Sequence, residues 1–380
     1  MTPARETEYG PGAIRRLPER LAADGRRRVM LVCGKGSFDN SGAAEGLSGL
    51  GERLEVLRWS DFSPNPDTVE LMQGLGLMAA FDPDVILGVG GGSPLDMAKL
   101  LCAYDGVADL DALHEAIRKG ARVETRARGL WLVPTTSGSG SEATHFAVCY
   151  IGAEKFSVAG PGLWPDGVAL DPLLTLSGSA HQKATSGIDA VCQATESLWA
   201  RDGTDASRRI ARHALGFLLP NIRAFVNEGT VEAARGMAIG AHLAGRAIDV
   251  SKTTAAHALS YAITKTYGTN HGQAVAMTLG RFIEAHCDPD APLQPGIERA
   301  DHQARMAQVL KVLDARDGRE GRLQFAALLH DIGLVASLSE AGVNDPAAYA
   351  EIARTVNIQR LMNNPVVFTA DQLVQMVAPA

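Results

Sequence analysis

The chain has few cysteines, five in 380 residues. Cys33, Cys102, Cys149, Cys192 and Cys287 are scattered, odd in number, set among apolar neighbours and never in a CxxC pair. A disulfide framework is thereby excluded, and buried reduced thiols are expected. Long apolar runs are also missing. No stretch of about 18 apolar residues occurs, and no apolar signal core follows Met1-Thr2-Pro3-Ala4-Arg5-Glu6. The expectation is a cytoplasmic protein with no membrane partner. Basic charge is not in excess either. With 36 Lys and Arg against 43 Asp and Glu the net charge is −7, which leaves no basic face for a nucleic-acid partner. Internal repeats and low-complexity linkers are lacking too.

What is present is a globular composition, 46% hydrophobic and 21% charged, in a chain too long for one ordinary core. The first half alternates strand and helix. Continuous apolar runs at 29–33, 85–89, 130–133 and 168–170 are separated by helical patterns at 68–81 and 94–104. Such runs indicate a parallel sheet covered on both faces. After about residue 176 the pattern becomes helical throughout: 181–201, 205–227, 231–248, 253–267, 271–286, 301–314 and 322–337. The predicted division is an α/β dinucleotide-binding domain over 1–176 and an all-α domain over 177–380.

Two turns in the first half are rich in glycine and hydroxyls. Residues 85–99, VILGVGGGSPLDMAK, run from a buried strand through Gly90, Gly91 and Gly92 into a helix. Ser93 is the expected N-cap, Pro94 the first helical residue and Asp96 the partner in a capping box. The amides at such a helix start suit a pyrophosphate, although a tight strand–helix turn explains the glycines equally well. Residues 130–144, LWLVPTTSGSGSEAT, form a second such turn, with Thr135, Thr136, Ser139 and Thr144 as candidate cofactor contacts.

In the second half, Asp189 and Gln193 share one helical face, as do His257 and Tyr261, and His271 opens the helix after the turn at 267–270. A carboxylate, two imidazoles and a weak oxygen donor are able to hold a divalent cation and leave room for substrate. Each residue alone also reads as an ordinary core or surface group, and spacing does not decide between the two.

Taken together, GGGSPLDMAK at 90–99, PTTSGSGSEAT at 134–144, GIDAVCQATES at 187–197 and the His257 to His271 pair resemble the iron-containing (group III) alcohol dehydrogenase family over most of the chain. The resemblance implies an N-terminal dinucleotide-binding domain and a C-terminal helical metal domain. It implies that Gly91, Gly92 and Ser93 hold the pyrophosphate, that Thr135 and Thr136 line the cofactor site, and that Asp96 and Lys155 match further polar positions there. Asp189, His257 and His271 match three of the family's four metal ligands. Gln193 stands where the family usually has the fourth, a histidine, and Tyr261 where many relatives have a second histidine. These departures, with SEATHFAV at 141–148 and SKTTAAHALSY at 251–261, resemble the branch that includes phosphonoacetaldehyde reductases.

The implied reaction is NAD(P)H-dependent reduction of a small aldehyde, with phosphonoacetaldehyde to 2-hydroxyethylphosphonate as the specific expectation. Asp189, His257, His271 and Tyr261 form the catalytic set, and Asp189, Gln193, His257 and His271 hold Fe2+ or Zn2+. A phosphonate dianion needs cationic or N–H partners, and His145, Lys252, Thr253 and Arg281 stand near the motifs as candidates. The segment Cys33-Gly34-Lys35-Gly36-Ser37 lacks the acid that often rejects NADP. Gly34 and Ser37 are cofactor contacts there, Lys35 suits a 2′-phosphate, and the branch resemblance leans to NADH. The alternatives are a metal-free reductase of an anionic carbonyl compound, a dehydroquinate-synthase-like lyase and a nucleotide sensor. A homodimer is expected.

Overall fold

A computed structural model describes residues 6–23, 25–356 and 358–379. The chain divides into two compact units, Met1–Gly178 and Ser179–Ala380.

The first unit is built on strands β1 (Glu6–Tyr9), β2 (Arg28–Cys33), β3 (Glu55–Trp59), β4 (Val85–Gly90), β5 (Gly129–Pro134), β6 (Phe146–Ile151), β7 (Glu154–Ala159) and β8 (Gly167–Leu170). Six of them make a parallel sheet in the order β1-β8-β5-β4-β2-β3. The apolar runs are continuous because both faces are covered. Met30, Val32, Ile86, Leu130 and Leu132 enter one core, and Val29, Leu31, Leu87, Val89, Trp131 and Val133 the other. This is the two-residue alternation of a pleated strand, and each fully buried aliphatic side chain contributes about 1.5–3 kcal/mol. β2 lies between β3 and β4, so the chain leaves it toward one neighbour and returns on the other side. Ligands of open α/β sheets bind at the carboxyl ends of strands beside such a reversal.

Two local expectations are corrected. The helix after β4 is Gly92–Ala103, and its N-cap is Gly91, with no side-chain cap. Ser93 therefore lies within the first turn, where its hydroxyl accepts from the Asn65 amide at 3.1 Å. Asp96 does not close a capping box. It accepts from Ser141 Oγ at 2.5 Å and Val148 N at 2.9 Å. Glycine at an N-cap costs only a few tenths of a kcal/mol relative to serine, so tertiary partners decide. The second correction concerns strands. β1, β3 and the antiparallel hairpin β6–β7 lie outside the predicted runs; β6 alternates in burial and so carries no continuous apolar stretch.

The second unit is helical. Ala180–Trp199, Asp205–Asn227, Val231–Ser251, Ala255–Tyr267, His271–His286, Arg299–Val312 and Gly318–Asp331 are followed by Pro346–Arg354, Ile358–Leu361 and Ala370–Val377. The predicted 322–337 helix begins at Gly318 instead, because Asp317 caps it through Glu320 N at 2.9 Å. Ala180–Trp199 starts in a capping box between Ser179 and Gln182, and from Gly187 to its end every residue is buried. A helix buried on all sides is a core helix, so its polar residues Asp189, Gln193 and Glu196 need partners from its neighbours. Among the described residues no helix is long and apolar enough to cross a membrane. All five cysteines are free thiols, and burial pushes Cys102 and Cys149 up to about 12, which leaves them protonated and unreactive.

The start of His271–His286 packs directly on Ala180–Trp199. A Cβ on Gly272 would lie 2.0 Å from the Thr185 carbonyl oxygen and 2.9 Å from Asp189 Cβ. Gly272→Ala is therefore expected to lower the unfolding free energy by about 1–3 kcal/mol or more, read as a lower urea midpoint at unchanged slope. An unshifted midpoint contradicts this packing.

Candidate functional site

In the first unit, three loops meet at the carboxyl ends of β2, β4 and β5. The Gly34 α-carbon faces Ser37, and a Cβ there would come within 2.3 Å of Ser37 Oγ and 4.0 Å of Pro94. Gly90 has φ 154° and packs on the Pro94 ring. Cβ atoms on Gly91 and Gly92 would meet Thr136 at 3.5 Å and Ser139 at 3.3 Å. The Gly91–Gly92 backbone is thus bare and flanked by two hydroxyls at the start of a 12-residue helix, an arrangement suited to an anion. Thr135 is nearly buried, and its amide bonds the Gly90 carbonyl at 2.8 Å.

Thr144 has a different place. It is fully buried, and its hydroxyl donates to Ser141 O at 3.1 Å and accepts from Lys99 Nζ at 3.0 Å. Lys99, unremarked in the sequence, is fully buried and also donates to Ser141 O, Thr144 O at 2.8 Å and Phe146 O at 2.9 Å. The signal was the one basic residue of an otherwise largely apolar helix. Asp96 braces the same loop. Burial lifts its carboxyl above the ordinary range, against the pull of Lys99, Ser141, the Val148 amide and the more distant Lys155. Lys155 itself is exposed on β7. Lys35 is paired with Asp61 at 2.7 Å on the surface.

In the second unit, Asp189, His257 and His271 come together. One ligand atom from each lies within 4.8 Å of the others. His257 Nε2 is 3.4 Å and His271 Nε2 4.0 Å from Asp189 Oδ1. Asp189 comes from Ala180–Trp199, His257 from Ala255–Tyr267 and His271 from the first position of His271–His286, after a left-handed turn at Gly268. Asp189 and His257 are buried, while the His271 side chain is 38% exposed, so the cluster opens on the His271 side.

Glu196 organises this cluster, and sequence reasoning gave it no role. It is fully buried and accepts from Thr254 Oγ1 at 2.7 Å, Ala256 N at 2.9 Å and His257 N at 3.4 Å. Trp199 Nε1 in turn donates to Thr254 Oγ1 at 2.9 Å. The carboxylate so satisfies the amides opening Ala255–Tyr267, whose N-cap Thr254 has no cap bond of its own. Its second oxygen takes the proton side of His257 Nδ1 in a short hydrogen bond. A ring held at Nδ1 presents Nε2, which has no hydrogen-bond partner among the described residues, as its ligand atom. Asp189, Gln193 and Glu196 stand at i, i+4 and i+7, and that polar stripe was the available signal.

Gln193 lies beside the cluster. Its Nε2 donates to Asp189 Oδ2 at 3.0 Å, since a carboxylate only accepts. It steadies Asp189 and has its nitrogen, not its oxygen, toward that ligand. Tyr261 stacks parallel to His271 at 5.9 Å. Burial raises its phenol above the ordinary value despite the Arg360 charge beside it. Arg360 lies over the Tyr261 ring at 5.7 Å and donates to Thr253 Oγ1. No local motif marks it, because it stands far along the chain from both contacts. The other substrate candidates have partners of their own. Lys252 has φ 58° and bonds Asp249 O at 3.1 Å. His145 belongs to the first unit, edge-on to Trp164 at 5.4 Å. Arg281 is nearly three turns along its helix from His271 and donates to Gln375 O at 3.2 Å; the structure does not bring it to the cluster.

Burial disfavours a protonated His257, but the Glu196 and Asp189 carboxylates outweigh it and hold its pKa above the ordinary histidine value. Glu196 is correspondingly held below the usual carboxylate range, the nearby His257 charge overcoming burial. One carboxylate, two imidazoles and an unbonded buried Nε2 fit a divalent transition ion.

Comparison with known proteins agrees with this geometry. Residues 4–172 match the family model described as iron-containing alcohol dehydrogenase, and 183–380 match that of the C-terminal part of the same family. The choline dehydrogenase of Bacillus subtilis is 32% identical over 73% of this chain and 70% of its own length. The phosphonoacetaldehyde reductase of Streptomyces viridochromogenes is 31% identical over 74% and 70%. Among solved structures, sulfoacetaldehyde reductase from Bifidobacterium kashiwanohense in complex with NAD+ superposes with a TM-score of 0.87 at 25% identity, covering 99% of this chain and 96% of that one. The chain belongs to the iron-containing alcohol dehydrogenase family and is an NAD(P)-dependent oxidoreductase of the alcohol dehydrogenase class.

Two outcomes are expected. A metal has to displace the proton from His257, and because that pKa is raised, the proton competes at higher pH than at an ordinary histidine. Zn2+ affinity, read by competition with a chromophoric chelator, should fall by about tenfold per unit as pH drops below the His257 pKa. A flat affinity from about pH 8 to 5 contradicts this. In the same assay at pH 8, Glu196→Gln should weaken binding by about 10–100-fold, whereas unchanged affinity removes Glu196 from its orienting role.

Proposed function

We propose that this chain reduces a two-carbon aldehyde bearing an anionic head, with phosphonoacetaldehyde to 2-hydroxyethylphosphonate as the specific reaction, using NADH and a divalent metal, Fe2+ or Zn2+. The observation that carries the reading is the convergence of Asp189, His257 and His271 within 4.8 Å, with His257 fixed by the buried Glu196. Its substrate assignment is supported by likeness to reductases of phosphonoacetaldehyde and sulfoacetaldehyde.

When bound, the metal polarises the carbonyl oxygen and the nicotinamide supplies the hydride. The protein's own residues do the rest. Asp189, His257 and His271 hold the cation, and Glu196 and Gln193 keep two of these ligands oriented. The partly exposed side of His271 admits substrate and water. The Tyr261 phenol, with its pKa raised, stays protonated at neutral pH and acts as a hydrogen-bond donor beside the ring it stacks on. In the first unit, the Gly91 and Gly92 amides receive the pyrophosphate, with Thr136 and Ser139 at the rim. Lys35 is already matched by Asp61, and the acidic group beside that loop disfavours a 2′-phosphate, which supports NADH over NADPH.

His271→Ala is expected to abolish aldehyde-dependent NADH oxidation while NADH still binds, seen as retained nicotinamide fluorescence enhancement. Near-normal turnover in this variant contradicts the reading.

A further inference from the structure

An anionic aldehyde needs a cation that reaches its head group while its carbonyl lies at Asp189, His257 and His271. We propose that Arg360 is that cation, seated by Thr253 and Tyr261, and that it selects a tetrahedral oxyanion, phosphonate or sulfonate, as the substrate's second group. This rests on the reductase reading above.

The placement is what carries it. From the ligand His271 a parallel stack of 5.9 Å leads to Tyr261, and the Arg360 guanidinium lies 5.7 Å from the centre of that same ring. The two separations bound how far the guanidinium lies from the His271 ring. A short aldehyde held at the metal ligands by its carbonyl, with a hydrogen bond of about 2.8 Å from the guanidinium to its charged head, fits within that bound.

Arg360 is also held in position. Its Nη1 donates to Thr253 Oγ1. The carbonyl of Thr253 accepts from Asn363 Nδ2 at 3.0 Å, and that amide also donates to Ser251 O at 2.8 Å. The short Ile358–Leu361 helix is thereby tied to the turn at 251–254. The next residue of the turn, Thr254, donates to Glu196, which orients His257. The head-group cation and the metal ligand therefore share one anchored turn. A guanidinium offers five donors in a planar fork, so it serves Thr253 and an oxyanion together, as a point-charge lysine does less well.

Arg281 and Lys252 have other contacts. Arg281 serves Gln375 O at the far end of its helix, and Lys252 Nζ turns back to Asp249 O at 3.1 Å. A fixed positive charge beside Tyr261 also repels a quaternary ammonium head.

The test compares wild type, Arg360→Gln and Arg360→Lys on phosphonoacetaldehyde, sulfoacetaldehyde and acetaldehyde, each with NADH. The ratio of kcat/KM for the anionic aldehydes to that for acetaldehyde should fall at least about 30-fold in Arg360→Gln, mainly through KM, and recover in part in Arg360→Lys. Loss for phosphonoacetaldehyde alone assigns the head group as phosphonate, and loss for sulfoacetaldehyde alone assigns sulfonate. An unchanged ratio overturns the proposal, as does a wild type that prefers acetaldehyde. If wild type oxidises NADH with none of the three, the reductase reading fails. Calorimetric titration with methylphosphonate and methanesulfonate then decides for Arg360: binding by wild type that is lost in Arg360→Gln supports it, and no difference overturns it.

Discussion

The second unit depends on one buried negative charge. Glu196 sits in the fully buried part of its helix, from Gly187 onward, where an uncompensated carboxylate would cost several kcal/mol. It is stable there because four donors from a single neighbouring segment converge on it: Thr254 Oγ1, the amides of Ala256 and His257, and His257 Nδ1. The same contacts do three things. They open the Ala255–Tyr267 helix, they fix the ring of His257, and they fasten the 251–254 turn to which Arg360 is attached. Stability and chemistry therefore rest on the same bonds. Removing the carboxylate disturbs the helix start and the ligand together.

The first unit solves a similar problem with the opposite sign. Lys99 is a buried cation surrounded by the carbonyls of Ser141, Thr144 and Phe146, with Asp96 holding Ser141 and Val148. This fixes the loop after β5, whose Thr136 and Ser139 flank the Gly91–Gly92 backbone. A site for a flexible dinucleotide gains from loops already in place, since ordering them on binding costs affinity.

Much of this was legible in the sequence, in specific ways. Continuous apolar runs marked β2, β4, β5 and β8 because both sheet faces are covered, and the change to helical periodicity marked the second unit. The glycines and hydroxyls of 90–99 and 134–144 stood out in composition, whereas the trio Asp189, His257 and His271 followed from the family resemblance and not from spacing. The failures have equally specific causes. Ser93 looked like an N-cap, but Asn65 claims its hydroxyl and Gly91 caps the helix. Lys99 and Glu196 were in plain view within quoted motifs, yet their burial is set by helices packed on all sides, which no local window records. Arg360 has no local signature, because its role comes from contacts with Thr253 and Tyr261 about a hundred residues upstream, joined only by the tertiary fold.

The central claim is that Glu196 holds His257 by Nδ1 and thereby turns Nε2 toward a cation shared with Asp189 and His271. Its most direct test is a crystal structure of the protein loaded with Zn2+, with anomalous scattering recorded at the zinc edge. The expected result is one ion bound by His257 Nε2, His271 Nε2 and Asp189 at about 2.0–2.2 Å, with His257 Nδ1 still bonded to Glu196. An ion bound elsewhere, or a His257 ring turned so that Nδ1 faces the metal, contradicts the account.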